Sequence, residues 1–494
     1  MPERLTVIIV GVLAALLTSS PWVAPASASR TTSNVVLIVT DDQRWDSLVG
    51  MPQVRRHLAA RGVTFRQAFV VNPLCCPSRT SILTGLYSHS TGVYRQAPPF
   101  GRFEAFDDRS TLATWLDDAG YRTGMVGKYV DGGQSMLLDG YVPPGWDSWF
   151  AFVRSAYGDF AMSRDGEIER FGAGTYSTDL LADDALRFLE DAGEDPFFLV
   201  FAPVAPHAPA TPAPRHATAR PELATWPGPA VDETDVSDKP AYVRALPPLR
   251  DEGMAAVERF RLEQARSLLA VDDAVGRIVD ELRRSGRLAD TLIVFTSDNG
   301  IAYGEHRWTK KEVPYEESIR VPMVIRADRL ITDARTDDHL VLNIDLAPTI
   351  AAFTGLDAPP TDGVSLVPLL RDGRPRWRRD FLVEHLEGTN PVPTYCAVRS
   401  STHLYVEYRS GDRELYDLVV DPAQLRNLAG TGDPAQVRLA ERLDELCDPP
   451  PPDVPPLRSE RATSRVTLGL ALVAVAGVAG AIVLAWRRVR SMRA

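Results

Sequence analysis

Three short runs of apolar residues, each followed directly by polar residues, constrain the fold of this 494-residue chain more than any other feature. The runs cover residues 34–40, 196–202 and 291–296, and a helical pattern over residues 254–284 precedes the third run. Continuous apolar runs of this length are typical of strands buried on both faces of a parallel sheet. Strands that alternate with helices predict an α/β fold, in which helices sandwich a large, mostly parallel sheet.

Polar side chains stand where each of these predicted strands ends. Asp41 and Asp42 follow the first run, His207 follows the second, and Asp298 and Asn299 follow the third. Sites in open α/β sheets form outside the carboxyl ends of the strands, so these residues predict an active site at that edge. Carboxylate and carboxamide oxygens suit Ca²⁺ or Mg²⁺ better than zinc. A helix N-cap pair and a turn remain the structural alternatives for these clusters.

The region after residue 370 has a different character. Apolar, β-rich patches cover residues 396–408 and 413–420, with a turn signal at residues 410–412. This pattern indicates antiparallel strands rather than strands joined by helices. We therefore predict a catalytic domain over residues 32–370 and a small antiparallel α+β domain over residues 378–447.

Both ends of the chain carry targeting patterns. Residues 1–28 combine an early arginine, an apolar run and small residues before a cleavage site at Ala28, which predicts a secretory signal peptide. Residues 466–486 are long and apolar enough to span a bilayer, and the basic tail at 487–494 predicts a cytoplasmic C-terminus. Residues 448–465 form a proline-rich linker. The expected protein is exported and anchored at the cell surface by a C-terminal transmembrane helix, with its catalytic domain outside.

The cysteine content and the net charge limit which cellular compartment and which binding partners are expected. An oxidising compartment permits disulfides, and we predict a bond between Cys396 and Cys447, with two free buried thiols as the alternative. The formal net charge is −11 at pH 7. An acidic surface argues against nucleic acid as a partner. Any positive charge that binds an anionic substrate must therefore be local.

The most specific motif is a pair of cysteines followed by a fixed pattern. It reads Cys75-Cys76-Pro77-Ser78-Arg79 and closes with Leu83-Thr84-Gly85. Buried thiols, a zinc site or a cysteine-protease nucleophile are the alternatives, but the chain has four cysteines and no Cys-x-x-Cys spacing. The motif resembles the sulfatase signature, in which a cysteine is oxidised to formylglycine. The positions of the proline and the arginine place this modification at Cys75 rather than at Cys76.

The resemblance extends over roughly residues 34–370 and implies an alkaline-phosphatase-like fold with sulfuric ester hydrolase activity. It implies one Ca²⁺ per catalytic domain, with the metal ligands Asp41, Asp42, Asp298, Asn299 and the modified Cys75. It also implies a catalytic set that consists of Cys75, Arg79, Lys128, His207 and Lys311. The hydrated formylglycine would attack sulfur, and the reaction would then proceed in two covalent steps.

The resemblance assigns a role to each member of the catalytic set. Arg79 would steady the modified residue, Lys128 would bridge it to the sulfate, and Lys311 would contact the sulfate and the leaving oxygen. Lys311 is preferred over the adjacent Lys310 because of the spacing seen in the family. His207 would protonate the leaving alcohol, since histidine titrates near neutral pH.

The chain departs from the family pattern at Val130, where a second histidine often stands. Asp131 and His306 are the two candidates to assist sulfate release in its place. The motifs are most similar to the N-acetylglucosamine-6-sulfatase branch, which includes extracellular heparan 6-O-sulfatases. The expected partners are a sulfate ester, such as a sulfated carbohydrate, and a formylglycine-generating enzyme during maturation. A phosphonate monoester hydrolase or phosphodiesterase of the same superfamily, and a non-catalytic surface-binding homologue, remain the alternative functions.

Overall fold

The computed structural model describes residues 33–371 and 375–453. The predicted signal peptide (1–28), the transmembrane helix (466–486), the basic tail (487–494) and most of the linker (448–465) lie outside these residues. Within the described ranges, no helix combines the length and the apolar character that a membrane span requires. Targeting and membrane anchoring therefore stay predictions from the sequence.

The strands of the described residues form three sheets. In chain order they are β1 Asn34–Thr40, β2 Val63–Phe65, β3 Ala68–Phe69, β4 Arg122–Gly127, β5 Ser148–Phe152, β6 Phe160–Arg164, β7 Glu167–Phe171, β8 Phe197–Ala202, β9 Thr291–Ser297, β10 Met323–Arg326, β11 Arg335–Asp337, β12 Val341–Leu342, β13 Asp380–His385, β14 Tyr395–Ser400, β15 His403–Tyr408 and β16 Arg413–Asp417. The helices are α1 Pro52–His57, α2 Cys75–Thr84, α3 Ser88–Thr91, α4 Leu112–Asp118, α5 Gln134–Leu138, α6 Ser177–Asp191, α7 Ala241–Arg244, α8 Arg250–Arg284, α9 Glu316–Ile319, α10 Leu346–Thr354, α11 Val367–Leu370 and α12 Pro434–Leu446.

The large sheet has ten strands in the order β11-β2-β10-β9-β1-β8-β4-β5-β6-β7. Its central strands β9, β1, β8, β4 and β5 are parallel. The neighbours β10 and β6 run antiparallel to them, so the sheet is mixed: the predicted parallel arrangement is confirmed for the central strands and fails at β10 and β6. At β6, the antiparallel direction follows from the length of the connecting segment. Only residues 153–159 join β5 to β6, and a parallel pair would need a crossover of about a dozen residues or more, so β6 runs antiparallel to β5.

Strand β1 lies at the centre of the sheet between β8 and β9, and all seven of its residues are buried. The predicted strands at 34–40, 196–202 and 291–296 are β1, β8 and β9, and the predicted helix at 254–284 lies within α8. Helices α6 and α8 cover one face of the sheet, whereas α2, α4 and α10 cover the other. Two apolar layers enclose the sheet, which confirms the α/β sandwich.

The C-terminal region forms a four-stranded antiparallel sheet in the order β13-β14-β15-β16. The predicted turn at 410–412 joins β15 to β16, whereas the patch at 396–408 divides into β14 and β15. Helix α12 packs on one face of this sheet. The other face shares a core with the catalytic region, in which the rings of Phe69 and Phe381 lie 5.0 Å apart. Cys396 and Cys447 are disulfide-bonded, as predicted, and the bond joins β14 to the end of α12.

Candidate active site

The carboxyl ends of the central strands bring the predicted polar segments together. Asp41 and Asp42 follow β1, and Asp298 follows β9. The Asp298 N–H donates to the Thr40 carbonyl (3.1 Å), and the Asp41 N–H donates to the Ala205 carbonyl (3.2 Å). Asp42 has a φ of 64°, in the left-handed region that aspartate tolerates better than most residues. These contacts turn consecutive carboxylates toward the same space.

Local backbone geometry also directs Lys128 and Cys75 into this space. Gly127 ends β4 with a φ of 119°, and a Cβ there would lie 2.1 Å from the Ala202 carbonyl oxygen. Only glycine permits this close bend before Lys128. Cys75 is the first residue of α2, where the partial positive charge of a helix N-terminus acts. The adjacent Cys76 packs in the apolar core instead.

The Cys75 sulfur lies among carboxylates and an ammonium group. Its Sγ is 3.4 Å from Asp41 Oδ1 and 3.8 Å from Asp42 Oδ1. Lys311 Nζ lies 2.6 Å from the sulfur and 2.5 Å from Asp42 Oδ1. Burial raises the pKa of the Cys75 thiol well above its usual value, although the charges of Lys128 and Lys311 oppose this. The sulfur stands in for the oxygen atoms that formylglycine would carry at this position.

Three buried carboxylates each pair with a different cation. The pairs are Asp41 with Lys128 (2.7 Å), Asp42 with Lys311 (2.5 Å) and Asp298 with Arg79 (2.7 Å). Burial alone would raise the pKa of Asp41, but the charges of Lys128 and His207 outweigh it and leave that pKa lowered. These six residues and Cys75 are called the Cys75 cluster below. Its charged groups balance, with three negative and three positive charges.

The carboxylate and amide oxygens of this region fit a hard cation. One ligand atom from each of four residues lies within 4.8 Å of the others, namely Asp41, Asp42, Cys75 and His207. Asn299 adds a buried amide whose Nδ2 donates to Asp42 Oδ1 (2.7 Å), while its Oδ1 has no hydrogen-bond partner within residues 33–371 and 375–453. Asp298 accepts from Arg79 and from the Asp42 N–H (3.0 Å). Oxygen donors of this kind suit a calcium- or magnesium-type ion.

His207 stands at the edge of the cluster. Its Nδ1 lies 2.7 Å from the Ala208 carbonyl oxygen and donates to it, so Nε2 faces the cluster at 3.7 Å from Asp42 Oδ2. The Tyr157 hydroxyl donates to the His207 carbonyl (2.7 Å) and holds its backbone in place. The His207 side chain is 37% exposed, so a bound alcohol can reach it.

The structure separates the two adjacent lysines. Lys311 Nζ points into the Cys75 cluster, as its two short contacts show. Lys310 Nζ donates to the Asn390 side chain (2.8 Å) near the surface. Lys311 is therefore a partly buried cation next to the sulfur, whereas the adjacent Lys310 is an exposed one.

The two candidates for the missing second histidine also lie in different places. Asp131 Oδ2 is 3.4 Å from Lys128 Nζ, and it accepts from Gln96 (2.8 Å). His306 is buried beside Glu233 (2.6 Å), and its ring lies 4.3 Å from the ring of Tyr315. Only Asp131 borders the Cys75 cluster.

A cavity of about 920 Å³ opens from the cluster along the β5–β7 side of the sheet. Its wall begins with Lys128 and His207 and continues over residues 152–161, Arg170 and Phe171. Sequence analysis missed this wall because it did not identify β5 (Ser148–Phe152, SWFAF) as a strand. The rule that sites follow the carboxyl ends of strands would then have marked Arg154.

An α/β sandwich with buried carboxylates and lysines around one reactive position defines an alkaline-phosphatase-like enzyme. A sulfatase family model matches residues 33–356, and a second model, N-sulphoglucosamine sulphohydrolase, C-terminal, matches residues 304–448. Human N-acetylglucosamine-6-sulfatase is 32% identical over 453 residues, which cover 81% of this chain and 82% of that protein. The chain belongs to the sulfatase family, as the cysteine motif predicted.

Two further relatives differ in how much of their length is matched. The extracellular sulfatase SULF-1 homolog of Drosophila melanogaster is 34% identical over 376 residues, which cover 72% of this chain. The match spans only 33% of that longer protein. The solved structure of BT4656 in complex with its substrate D-glucosamine-2-N,6-O-disulfate has a TM-score of 0.74 at 25% identity. It covers 85% of this chain and 99% of that one.

Proposed function

We propose that this protein hydrolyses a sulfate ester of an amino sugar, using a formylglycine made from Cys75 and a bound Ca²⁺. The observation that carries the proposal is the Cys75 cluster, where three ion pairs surround one buried sulfur atom. The names of two relatives support the substrate class, since one is an N-acetylglucosamine-6-sulfatase and the other binds a sulfated glucosamine.

The charge balance of the Cys75 cluster suits this reaction. Formylglycine would supply a hydrated aldehyde whose hydroxyl attacks sulfur, and Ca²⁺ would supply positive charge next to it. We assign the Ca²⁺ ligands to Asp41, Asp42, Asp298, Asn299 and residue 75. A sulfate monoester carries one negative charge, and a second one develops on the reacting oxygens. The two positive charges of Ca²⁺ would therefore balance these two negative charges in the transition state, because the Cys75 cluster itself is neutral.

Fixed cations hold the sulfate on two sides. Lys311 touches the atom at position 75 and would bind a sulfate oxygen beside the nucleophile. Lys128 lies on the Asp41 side, and the nearby carboxylates raise its pKa although burial opposes them, so it stays charged. Arg79 Nη1 donates to the Lys128 carbonyl (2.7 Å), while its Nη2 is buried without a partner in the described part of the chain. That free N–H would donate to a hydroxyl at residue 75.

We assign the general acid to His207. As the bond from sulfur to the sugar oxygen breaks, the Nε2 proton of the imidazolium would move to that oxygen, and the neutral alcohol would leave. Nε2 faces the cluster because Nδ1 is engaged with the Ala208 carbonyl. Asp131, which borders Lys128, would keep that ammonium oriented when sulfate is released.

We also propose that the enzyme acts outside the membrane, exported by residues 1–28 and anchored by residues 466–486. The Cys396–Cys447 disulfide supports this, because such bonds persist in oxidising compartments. The name of the extracellular Drosophila relative agrees with it. Protease added to intact cells should remove the catalytic domain, and a chain truncated before residue 466 should appear in the medium. Protection of the domain in intact cells would contradict this topology.

Peptide mass spectrometry across Cys75 tests the nucleophile. The protein would be produced in a host that has a formylglycine-generating enzyme, together with a known sulfatase as a control. We expect formylglycine at position 75 and an unchanged cysteine at position 76. An unmodified Cys75 beside a modified control sulfatase would contradict the proposal.

Assays with and without metal test the reaction. We expect sulfate release from N-acetylglucosamine 6-sulfate, a loss of about 100-fold or more in EGTA, and recovery with CaCl₂. The same protein would be assayed on a phosphonate monoester and on a phosphodiester. A higher kcat/KM on either of these would favour the phosphonate monoester hydrolase or phosphodiesterase alternative.

A further inference from the structure

We infer that Arg154 and Arg170 form a second anion-binding subsite on the wall of the catalytic cavity. The subsite would bind a sulfate or carboxylate group of the sugar chain that carries the reacting sulfate ester. This inference rests on the proposed function, because it places the leaving sugar in the cavity. It narrows the substrate class from sulfated sugars to acidic oligosaccharides.

The two arginines lie on either side of β6 in the same wall. Arg154 follows β5, Arg170 lies near the end of β7, and both line the cavity that begins at Lys128. The strand register brings the two segments together. The Val153 N–H donates to the Ala161 carbonyl (3.0 Å), and Ala161 pairs with Arg170 between β6 and β7. Both guanidinium groups therefore border the same cavity, where they can meet the anionic groups of a bound sugar chain.

Neither guanidinium is engaged within the described chain. Arg154 and Arg170 are exposed, and no hydrogen bond or ion pair to residues 33–371 or 375–453 occupies either of them. Arg164, on β6 between them, is the contrast, because it pairs with Glu169 (2.7 Å) and Asp184 (2.8 Å). A guanidinium matches the geometry of carboxylate and sulfate oxygens, and here two of them remain available to a ligand.

Two of the three acidic residues that line the cavity contact Lys128. Asp41 and Asp131 both contact Lys128, at 2.7 and 3.4 Å. Asp159 is the remaining acidic residue among those that line the cavity. The part of the wall over residues 152–161, Arg170 and Phe171 therefore carries two positive charges and one negative charge, although the whole chain carries a net charge of −11. A local basic patch of this kind attracts an acidic ligand that the rest of the surface repels.

Binding to a protein that carries Cys75→Ala separates recognition from turnover. Calorimetry would compare two matched pairs of glucosamine 6-sulfate disaccharides. The first pair differs by an N-sulfate or an N-acetyl group, and the second by a uronic acid or its methyl ester. We expect the charged member of at least one pair to bind about tenfold more tightly at low salt, with a smaller difference at high salt. The responding pair identifies the bound group as sulfate or carboxylate.

Replacement of both arginines (R154A/R170A, in the same C75A background) should abolish this preference. Arg259→Ala is the matched control, because Arg259 is an exposed arginine on α8 away from the cavity wall, and the preference should survive there. Equal binding within both pairs, or a preference that persists in R154A/R170A, would overturn the subsite. Failure of the proposed function is a different result, namely no sulfate release by the wild-type enzyme while the charge preference in binding persists.

Discussion

Two buried polar clusters of this protein accommodate charge in opposite ways. In the small sheet, Glu414 is fully buried and accepts hydrogen bonds from Tyr315 (2.7 Å), Tyr408 (2.6 Å) and Tyr416 (2.5 Å). Burial raises the pKa of Glu414 although these three hydroxyls oppose the rise. This tyrosine cluster, made of Glu414 and the three tyrosines, satisfies its carboxylate with neutral donors and lies in the core between the two sheets.

The Cys75 cluster pairs its carboxylates with cations and opens to a cavity. Arg79 Nη2, and Oδ1 of the neighbouring Asn299, have no hydrogen-bond partner among residues 33–371 and 375–453. Both clusters contain buried acids with shifted pKa values, so burial and pKa shifts alone do not distinguish a site from a structural network. The unsatisfied polar atoms, in a cluster whose Asp41 and Lys128 line a cavity, make the difference. Mutations should therefore affect catalysis in one cluster and stability in the other.

The largest effect is expected from Cys75→Ala. Loss of the proposed nucleophile should lower kcat by about 10,000-fold or more, whereas the melting temperature should change little. Cys76→Ala is the control, because Cys76 packs in the apolar core, and it should retain activity with a modest loss of stability. Sulfate release and thermal melting would be measured for both variants. Full activity of Cys75→Ala would remove the catalytic role of the Cys75 cluster.

Glu414→Leu should produce the reverse pattern. It leaves three buried hydroxyls without their acceptor, and we expect a loss of about 4 kcal/mol in the free energy of unfolding. The kcat of the folded protein should be nearly unchanged. Glu407→Leu, on the neighbouring strand and 33% exposed at its side chain, should cost less than about 1 kcal/mol. Urea titrations would measure the unfolding free energy, and initial rates would measure kcat. A fall in kcat without a loss of stability would contradict the structural role of the tyrosine cluster.

The adjacent lysines test the cation side of the Cys75 cluster. Lys311→Ala should lower kcat/KM by about 100-fold, because it removes a fixed charge beside the developing negative charge. Lys310→Ala should be nearly neutral, since the Lys310 ammonium donates to Asn390 and not to the Cys75 cluster. Steady-state kinetics on N-acetylglucosamine 6-sulfate would measure both. Similar losses in the two variants would show that net charge, rather than position, matters.

The smallest expected effect is a pH dependence of stability that arises from His385 in the small sheet. Burial lowers the pKa of His385 on β13 to about 4, and its ring stacks on Tyr395 at 5.2 Å. Because the folded pKa lies below the usual 6.5, the stability that the neutral ring contributes is present above pH 6.5 and is lost as the pH falls toward 4. We expect a loss of about 2 kcal/mol between pH 7 and 5.

His385→Phe should remove this pH dependence from the unfolding free energy. Urea titrations at several pH values would measure the difference between the wild type and the variant. A difference that does not change with pH would mean that His385 is not held neutral by the fold.

Local sequence patterns predicted the central strands and the clusters at their ends. Residues 34–40 were predicted as a strand and form β1 with the same bounds. The prediction succeeded because a strand buried on both faces needs a continuous apolar run, which is visible without knowledge of its partners. The choice of Lys311 over Lys310 came from spacing within the motif, and the structure places Lys311 beside Cys75.

The sheet edges and the cavity wall were not predictable in the same way. Strand β5 is five residues long, and β6 and β7 are partly exposed, so none of them has the long apolar pattern of the central strands. Arg154 and Arg170 are 16 positions apart in the chain and line one cavity only through the pairing of these strands. Pairing depends on side-chain packing across strands, which a single short segment does not encode.

By itself, the sequence determined the central strands of the large sheet and the protein family. Strand patterns and the cysteine motif depend on residues that are near one another in the chain. Only the tertiary structure decided that Asp131, rather than His306, borders Lys128. It also decided which arginines line the cavity. These contacts join residues from separate strands and loops, and they exist only after the chain has folded. The motif alone therefore predicted the type of reaction, whereas the residues around the motif could be identified only from the complete fold.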